Sequence, residues 1–152
     1  MVLVVIAGTF DLIHPGHIKF IQEASKLGEV TVIVGRDSTV ERLKGRKPFL
    51  PEEQRLEVVK NLKGVNKAVL GYKNDDPLKI VQDLNPEILL LGPNQNFSKE
   101  KIVTDLKKRG LKTKIIRMTD IVDSFPFCST TKIVKRILDT CRDKTDLNDL
   151  DK

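Results

Sequence analysis

His14 and His17 stand three positions apart, with Pro15 and Gly16 between them and Gly8-Thr9-Phe10-Asp11 upstream. Imidazoles at that spacing fall on one side of a helix. Pro15 marks the helix start, because a first-turn residue has no helical N–H partner to lose. The mouth of such a helix presents unpaired backbone N–H groups and the positive end of its dipole, and both attract phosphate. Two imidazoles placed there would donate to one phosphate and its bridging oxygen. Nucleotidyl transfer asks for that kind of help, since the protein's part is positioning and charge neutralisation. Two competing readings are ordinary helix capping and a metal site, for which H-x-x-H shows no obvious third ligand.

The elements that must position these residues are legible around them. Residues 2–6 are β-prone and apolar, and predict a strand running into the histidine turn. Ile18, Ile21, Ala24 and Leu27 give the following helix an apolar face, with Gly28 as its expected stop. Further strands are predicted at 30–34, 67–70, 87–91 and 112–117, alternating with helices at 37–43, 51–62, 78–84 and 98–109. A last helix begins near Ser129, with Ile133, Ile137 and Leu138 on its inner side. Strands alternating with helices predict an α/β fold, a single-domain, doubly wound, Rossmann-like sheet of five parallel strands. The domain is expected over residues 1–141, followed by a polar tail at 142–152.

In such a sheet, ligands bind beyond the carboxyl ends of the strands. Residues falling there are candidates. Asp37 follows the second strand as an N-cap or a ligand contact. Lys44, Arg46 and Lys47 form a basic loop, either solvated or a phosphate clamp. Arg55 lies three residues after Glu52, an ion-pair spacing on a helix. Asn94 follows the fourth strand, facing the nucleotide ribose or base or simply serving the turn. Ser129 and Thr130 stand at the last helix start, where caps are ordinary.

Composition narrows the classes. The chain has 152 residues, 39% hydrophobic and 32% charged, which suits one folded domain. No apolar run approaches the ~18 residues of a membrane-spanning helix. The N-terminal strand has no basic leader before it, so neither membrane nor export is expected and a cytoplasmic location is. Cys128 and Cys141 are too few for a disulfide framework or zinc ribbon and are expected as free thiols. The net charge of +6 suits phosphorylated substrates, and one tyrosine with no tryptophan argues against a nucleic-acid stacking platform.

Gly8-Thr9-Phe10-Asp11…His14-Pro15-Gly16-His17 resembles the first signature of the HIGH-type nucleotidyltransferases, in their cytidylyltransferase-like branch. Ser129-Thr130-Thr131-Lys132-Ile133 resembles the second signature of the same family, in the expected order. The resemblance runs from residue 2 to about 138. It implies an α/β nucleotide-binding fold and transfer of a nucleoside monophosphate from an NTP, with pyrophosphate leaving. Thr9, Phe10, His14, Pro15, Gly16, His17, Asn94, Ser129, Thr130 and Lys132 would bind the nucleotide. His14, His17, Lys44 and Arg55 would be catalytic, and Asp37, Lys44, Lys47 and Arg55 would bind the acceptor.

Departures bear on the substrate. Pro15 replaces a common Trp, Lys63-Gly64-Val65-Asn66 replaces R-Y-V-D, and the stretch between Arg117 and Ser129 is longer than in glycerol-3-phosphate enzymes. H-P-G-H, G-R-D-S-T-V-E-R-L-K-G-R-K-P, P-E-E-Q-R and L-G-P-N-Q-N-F are more similar to archaeal-type FAD synthetases. That family would join AMP from ATP to FMN, with a divalent metal, Mg²⁺, arriving on the nucleotide. No protein ligand for the metal is evident. The resemblance also makes a homodimer an expectation. A cytidylyltransferase acting on a phospho-alcohol is the first rival, and a non-catalytic basic nucleotide- or nucleic-acid-binding domain the second.

Overall fold

The computed structural model describes residues 1–142. Its elements alternate as read from the sequence: β1 (Leu3–Gly8), α1 (Pro15–Ser25), β2 (Glu29–Val34), α2 (Asp37–Lys44), α3 (Glu52–Lys60), β3 (Lys67–Leu70), α4 (Lys79–Leu84), β4 (Ile88–Leu91), α5 (Lys99–Lys108), β5 (Lys114–Arg117) and α6 (Thr130–Arg142). The five strands form one sheet in the order β3-β2-β1-β4-β5, and every pairing is parallel. Parallel strands covered on both faces read as continuous apolar runs, which is why β2 and β4 show little alternation.

β1 is the central strand, and its residues divide between two cores. Val4 and Ile6 pack with Phe20, Ile21 and Ala24 of α1 and Val59 of α3. Val5 points to the other face, with Leu89 and Leu91 of β4, Ile80 and Val81 of α4, and Leu106 of α5. β1 is also where the chain switches direction across the sheet, from β2 on one side to β4 on the other. The loops leaving β1 and β4 therefore diverge and open a crevice at the carboxyl ends of the strands.

Several local expectations change. Gly28 is not a left-handed helix stop. Its Cα hydrogen faces the β1 approach, where an added Cβ would lie 2.1 Å from the Val2 carbonyl oxygen. Asp37 does not cap α2; Arg36 occupies that position without a side-chain cap. Instead α2 and α3 cap one another, the Glu52 carboxylate accepting from the Asp37 N–H at 2.8 Å and Asp37 from the Glu52 N–H at 3.3 Å. Gly110, by contrast, does follow the end of α5 with a positive φ of 78°. The last helix was expected to bury Ile133, Ile137 and Leu138. None of α6 is buried, and Ile137 and Leu138 are about half exposed. Arg142, placed in the tail by sequence, closes α6, and the rest of the expected tail lies outside the described residues.

Candidate active site

The histidines owe their placement to the start of α1. His14 is the N-cap residue, and its Nδ1 accepts from the Gly16 N–H at 3.1 Å. His17 occupies the third helical position, and its Nδ1 accepts from the His14 N–H at 3.3 Å. This is a capping box built from two imidazoles. The capping reading and the catalytic reading are thus compatible, because each ring uses only one nitrogen as a cap. A neutral imidazole that accepts at Nδ1 carries its proton on Nε2. Both residues line the same cavity, so each has an Nε2–H left for a ligand.

Their environment keeps them neutral. Burial lowers the His14 pKa. Burial, and then the nearby His14 and Lys44, push His17 down to about 3. The rings lie 3.8 Å apart between centroids, and the buried Phe10 ring lies 5.2 Å from His17. Two backbone features make this fit. Phe10 takes a positive φ of 50° in the turn between β1 and α1. Gly16 leaves room for the His14 ring to fold back, since a Cβ there would sit 2.8 Å from His14 Cε1 and 3.1 Å from the Cys128 carbonyl oxygen.

The cavity over these rings measures about 330 Å³. Thr9, Phe10, His14, Gly16, His17, Lys44, Asn94, Ser129 and Thr130 all line it, bringing both sequence signatures to one place. Lys44, at the end of α2, donates to Thr9 Oγ1 at 2.9 Å. Burial lowers the Lys44 pKa, followed by the repulsion of Arg46 and Arg55 against the pull of Asp11. Ser129 Oγ accepts from the Lys132 N–H at 3.2 Å, so it caps α6.

Other expected site residues stand elsewhere. Arg55 is fully buried and was expected at the acceptor phosphate. Its guanidinium is instead committed to the protein. Nη1 donates to the Thr9 carbonyl at 2.5 Å, Nη2 to the Gly35 carbonyl and to Asp37 Oδ1 at 2.7 Å each, and Nε to the Leu50 carbonyl at 2.9 Å. It ties the turns after β1 and β2 to the entry of α3, and its partner is Asp37 rather than Glu52. Asp37 is correspondingly engaged with Arg55 and α3, not turned to the cavity. Lys47 and Lys132 are exposed and off the cavity wall, and Pro15 contributes to a neighbouring groove instead.

Three residues that place the loops went unread. Asp11 is buried and accepts from the Phe49 and Leu50 N–H groups at 2.8 and 2.9 Å, fixing the basic loop. Gln95 links the loop after β4 to β1, donating to the Ala7 carbonyl at 2.7 Å and accepting from the Gly92 N–H at 2.8 Å. Arg117 donates to the carbonyls of Gly92, Gln95 and Phe97. Gln95 and Arg117 together fix the loop that carries Asn94 on the cavity wall. Asp11 belongs to the first signature, so its position was visible even though its bonds were not.

Among the described residues, no three His, Cys, Asp or Glu side chains converge as a metal cage. Cys128 and Cys141 are both free. No helix among the described residues is long and apolar enough to cross a membrane.

A family model for cytidylyltransferase-like proteins matches residues 5–136, nearly the whole sheet and both halves of the cavity. The chain belongs to the cytidylyltransferase-like family. Among its relatives, an FAD synthase of Archaeoglobus profundus is 47% identical over 145 residues, covering 95% of this chain and 91% of the relative. An FAD synthase of Aciduliprofundum boonei is 46% identical, covering 94% and 95%. A Thermoplasma volcanium crystal structure, described as a lipopolysaccharide core biosynthesis protein, superimposes with a TM-score of 0.76 at 37% identity, covering 80% of this chain and 99% of that one. As a cytidylyltransferase-like protein the chain is a nucleotidyltransferase, which accounts for a phosphate-shaped site at the β1–β4 switch.

Proposed function

We propose that this protein is an FMN adenylyltransferase, joining the AMP of ATP to the phosphate of FMN with release of pyrophosphate. The observation that carries nucleotidyl transfer is the pair of neutral histidines, each offering an Nε2–H in one cavity between both signatures. The choice of ATP and FMN is supported by relatives named FAD synthase, 43–47% identical over most of the chain.

In the reaction, a phosphate oxygen of FMN attacks the α-phosphorus of ATP in line, and the bond to the bridging oxygen of pyrophosphate breaks. The FMN phosphate is already anionic at neutral pH, so no side chain need remove a proton. His14 and His17 donate to the α-phosphate and the bridging oxygen, where charge grows in the transition state. Their neutrality matters, since each can donate without gaining or losing a proton. Lys44 holds the acceptor phosphate beside Thr9, and the start of α6 with Ser129 and Thr130 holds the pyrophosphate end. Asn94 faces the nucleoside. Arg55 and Asp37 position Thr9 and the turn after β2 rather than touching substrate.

A divalent metal, Mg²⁺, would neutralise the triphosphate. The residues fit one that arrives held by phosphate oxygens and water: Asp11 is committed to the basic loop, leaving Asp120 as the other carboxylate on the cavity wall. The reading is tested by chromatographic detection of FAD from ATP and FMN. The wild-type chain is expected to form FAD, and His17→Ala to form it about a hundredfold more slowly. Unchanged turnover in that variant would contradict the assigned role.

A further inference from the structure

The cavity wall continues past Lys44 to Arg46, whose guanidinium lies 4.6 Å from the centre of the Phe49 ring. Phe49 is 52% exposed, and Leu43 beside this loop is 63% exposed. Apart from the Arg46 guanidinium over it the ring stands half exposed, whereas its backbone is anchored. Asp11 accepts from the N–H groups of Phe49 and Leu50, and Arg55 donates to the Leu50 carbonyl. Asp11 and Arg55 are two of the three buried polar side chains among the described residues. Two buried charged groups thus fix a loop that leaves its aromatic ring in water. Phe97, Phe125 and Phe127 are comparably exposed; Phe49 differs in standing under a cavity-lining arginine on a loop that two buried side chains anchor.

The direction of the reaction says what comes to this ring. In-line displacement puts the acceptor opposite the departing pyrophosphate. Ser129 and Thr130 at the start of α6 and Lys44 at the end of α2 line the same cavity, and Cys128, just before α6, stands against Gly16 of α1. With pyrophosphate at α6, the acceptor's phosphate falls at Lys44 and the rest of the acceptor leads out past Arg46.

We infer that Phe49 and Arg46 form the subsite for the acceptor's planar, fused heteroaromatic ring, the isoalloxazine of FMN. Phe49 stacks on the ring, and Arg46 covers it and donates to its carbonyl edge. The two residues select a flavin phosphate over a small phospho-alcohol, whose phosphate Lys44 would hold equally well. This inference rests on the adenylyltransferase reading above. A rival location exists in the groove of about 970 Å³ on the outer side of α1, lined by Ile18 and Phe125 among others. It shares His14 with the cavity but reaches neither Lys44 nor Arg46.

The test is steady-state formation of FAD by the full chain, with FMN and ATP varied separately. Phe49→Ala is expected to raise KM for FMN about tenfold to a hundredfold, the range of one lost ring-stacking contact. KM for ATP should stay within about twofold, and Phe49→Tyr should restore KM for FMN. Riboflavin, which keeps the ring and lacks the phosphate, should inhibit the wild type competitively against FMN and lose potency in Phe49→Ala. A Phe49→Ala variant with unchanged KM for FMN would overturn the inference. So would an equal rise in KM for ATP, or an FMN defect that appears in Phe125→Ala instead. Failure of the wild-type chain to form FAD would overturn the adenylyltransferase reading itself, and the wild-type control separates that outcome from the others.

Discussion

Replacing His17 by glutamine isolates the consequence of holding an imidazole neutral. Glutamine at the third helical position can still accept from the N-cap N–H, so the capping box survives the change. The proton linkage does not survive. The His17 pKa falls from 6.5 to about 3 in the folded chain, chiefly through burial. Below pH 6.5 the unfolded chain takes up a proton that the folded chain refuses. Stability linked to this group is therefore complete above pH 6.5 and is lost as pH falls towards 3. At pH 4.5 the loss from His17 alone is about 2–3 kcal/mol, a substantial part of the ~5–15 kcal/mol that holds a domain folded. Urea unfolding at pH 7.5 and 4.5 measures it. The wild-type chain should lose about 2–3 kcal/mol more than His17→Gln across that interval. Any change in packing against Phe10 shifts the variant equally at both pH values. Parallel losses in the two proteins would refute the buried, neutral histidine.

Other consequences follow from the same contacts. Arg55→Ala leaves Asp37 and the carbonyls of Thr9, Gly35 and Leu50 without their donor, and should cost about 3–5 kcal/mol in urea unfolding. A fully stable variant with only a raised KM for FMN would return Arg55 to the acceptor site. Lys44→Ala, which gives up a single hydrogen bond to Thr9 Oγ1, should leave stability within about 0.5 kcal/mol while lowering kcat/KM about a hundredfold; retained kcat/KM would remove it from the phosphate path. Gly16→Ala forces a methyl group against the His14 ring and the Cys128 carbonyl, and should lower kcat about tenfold or more by displacing that imidazole. Chelation of divalent metal should abolish turnover and added Mg²⁺ should restore it. Metal analysis after dialysis without nucleotide should find none retained, whereas a stoichiometric metal would show a protein cage.

The strands and the mouth of α1 were legible because they rest on local rules. Apolar runs of four to six residues bounded by turns mark parallel strands, and Pro15 with the two histidines marks a helix entry. Lys67–Leu70 matched residue for residue. The candidate site was legible in its lining and less so in its supports. A buried arginine and an active-site arginine look alike in sequence, and only tertiary structure decides whether Arg55 donates to substrate or to four protein oxygens. Asp37 and Glu52 exchange caps between two helices, a pairing across fifteen positions that no local pattern encodes. Gly28 stands where a helix stop is expected, but the crowding that requires a glycine comes from Val2, just before β1. The stripe on α6 has helical spacing, yet spacing does not say whether another surface meets it. Gln95 and Arg117 escaped notice because their partners are backbone carbonyls, which leave no mark on side-chain pattern.

The central claim is tested most directly by pyrophosphate release with each of the four NTPs against FMN, glycerol 3-phosphate and ethanolamine phosphate. The account predicts turnover with ATP and FMN alone, with FAD as the product. Turnover with CTP and a small phospho-alcohol, and none with ATP and FMN, would contradict it.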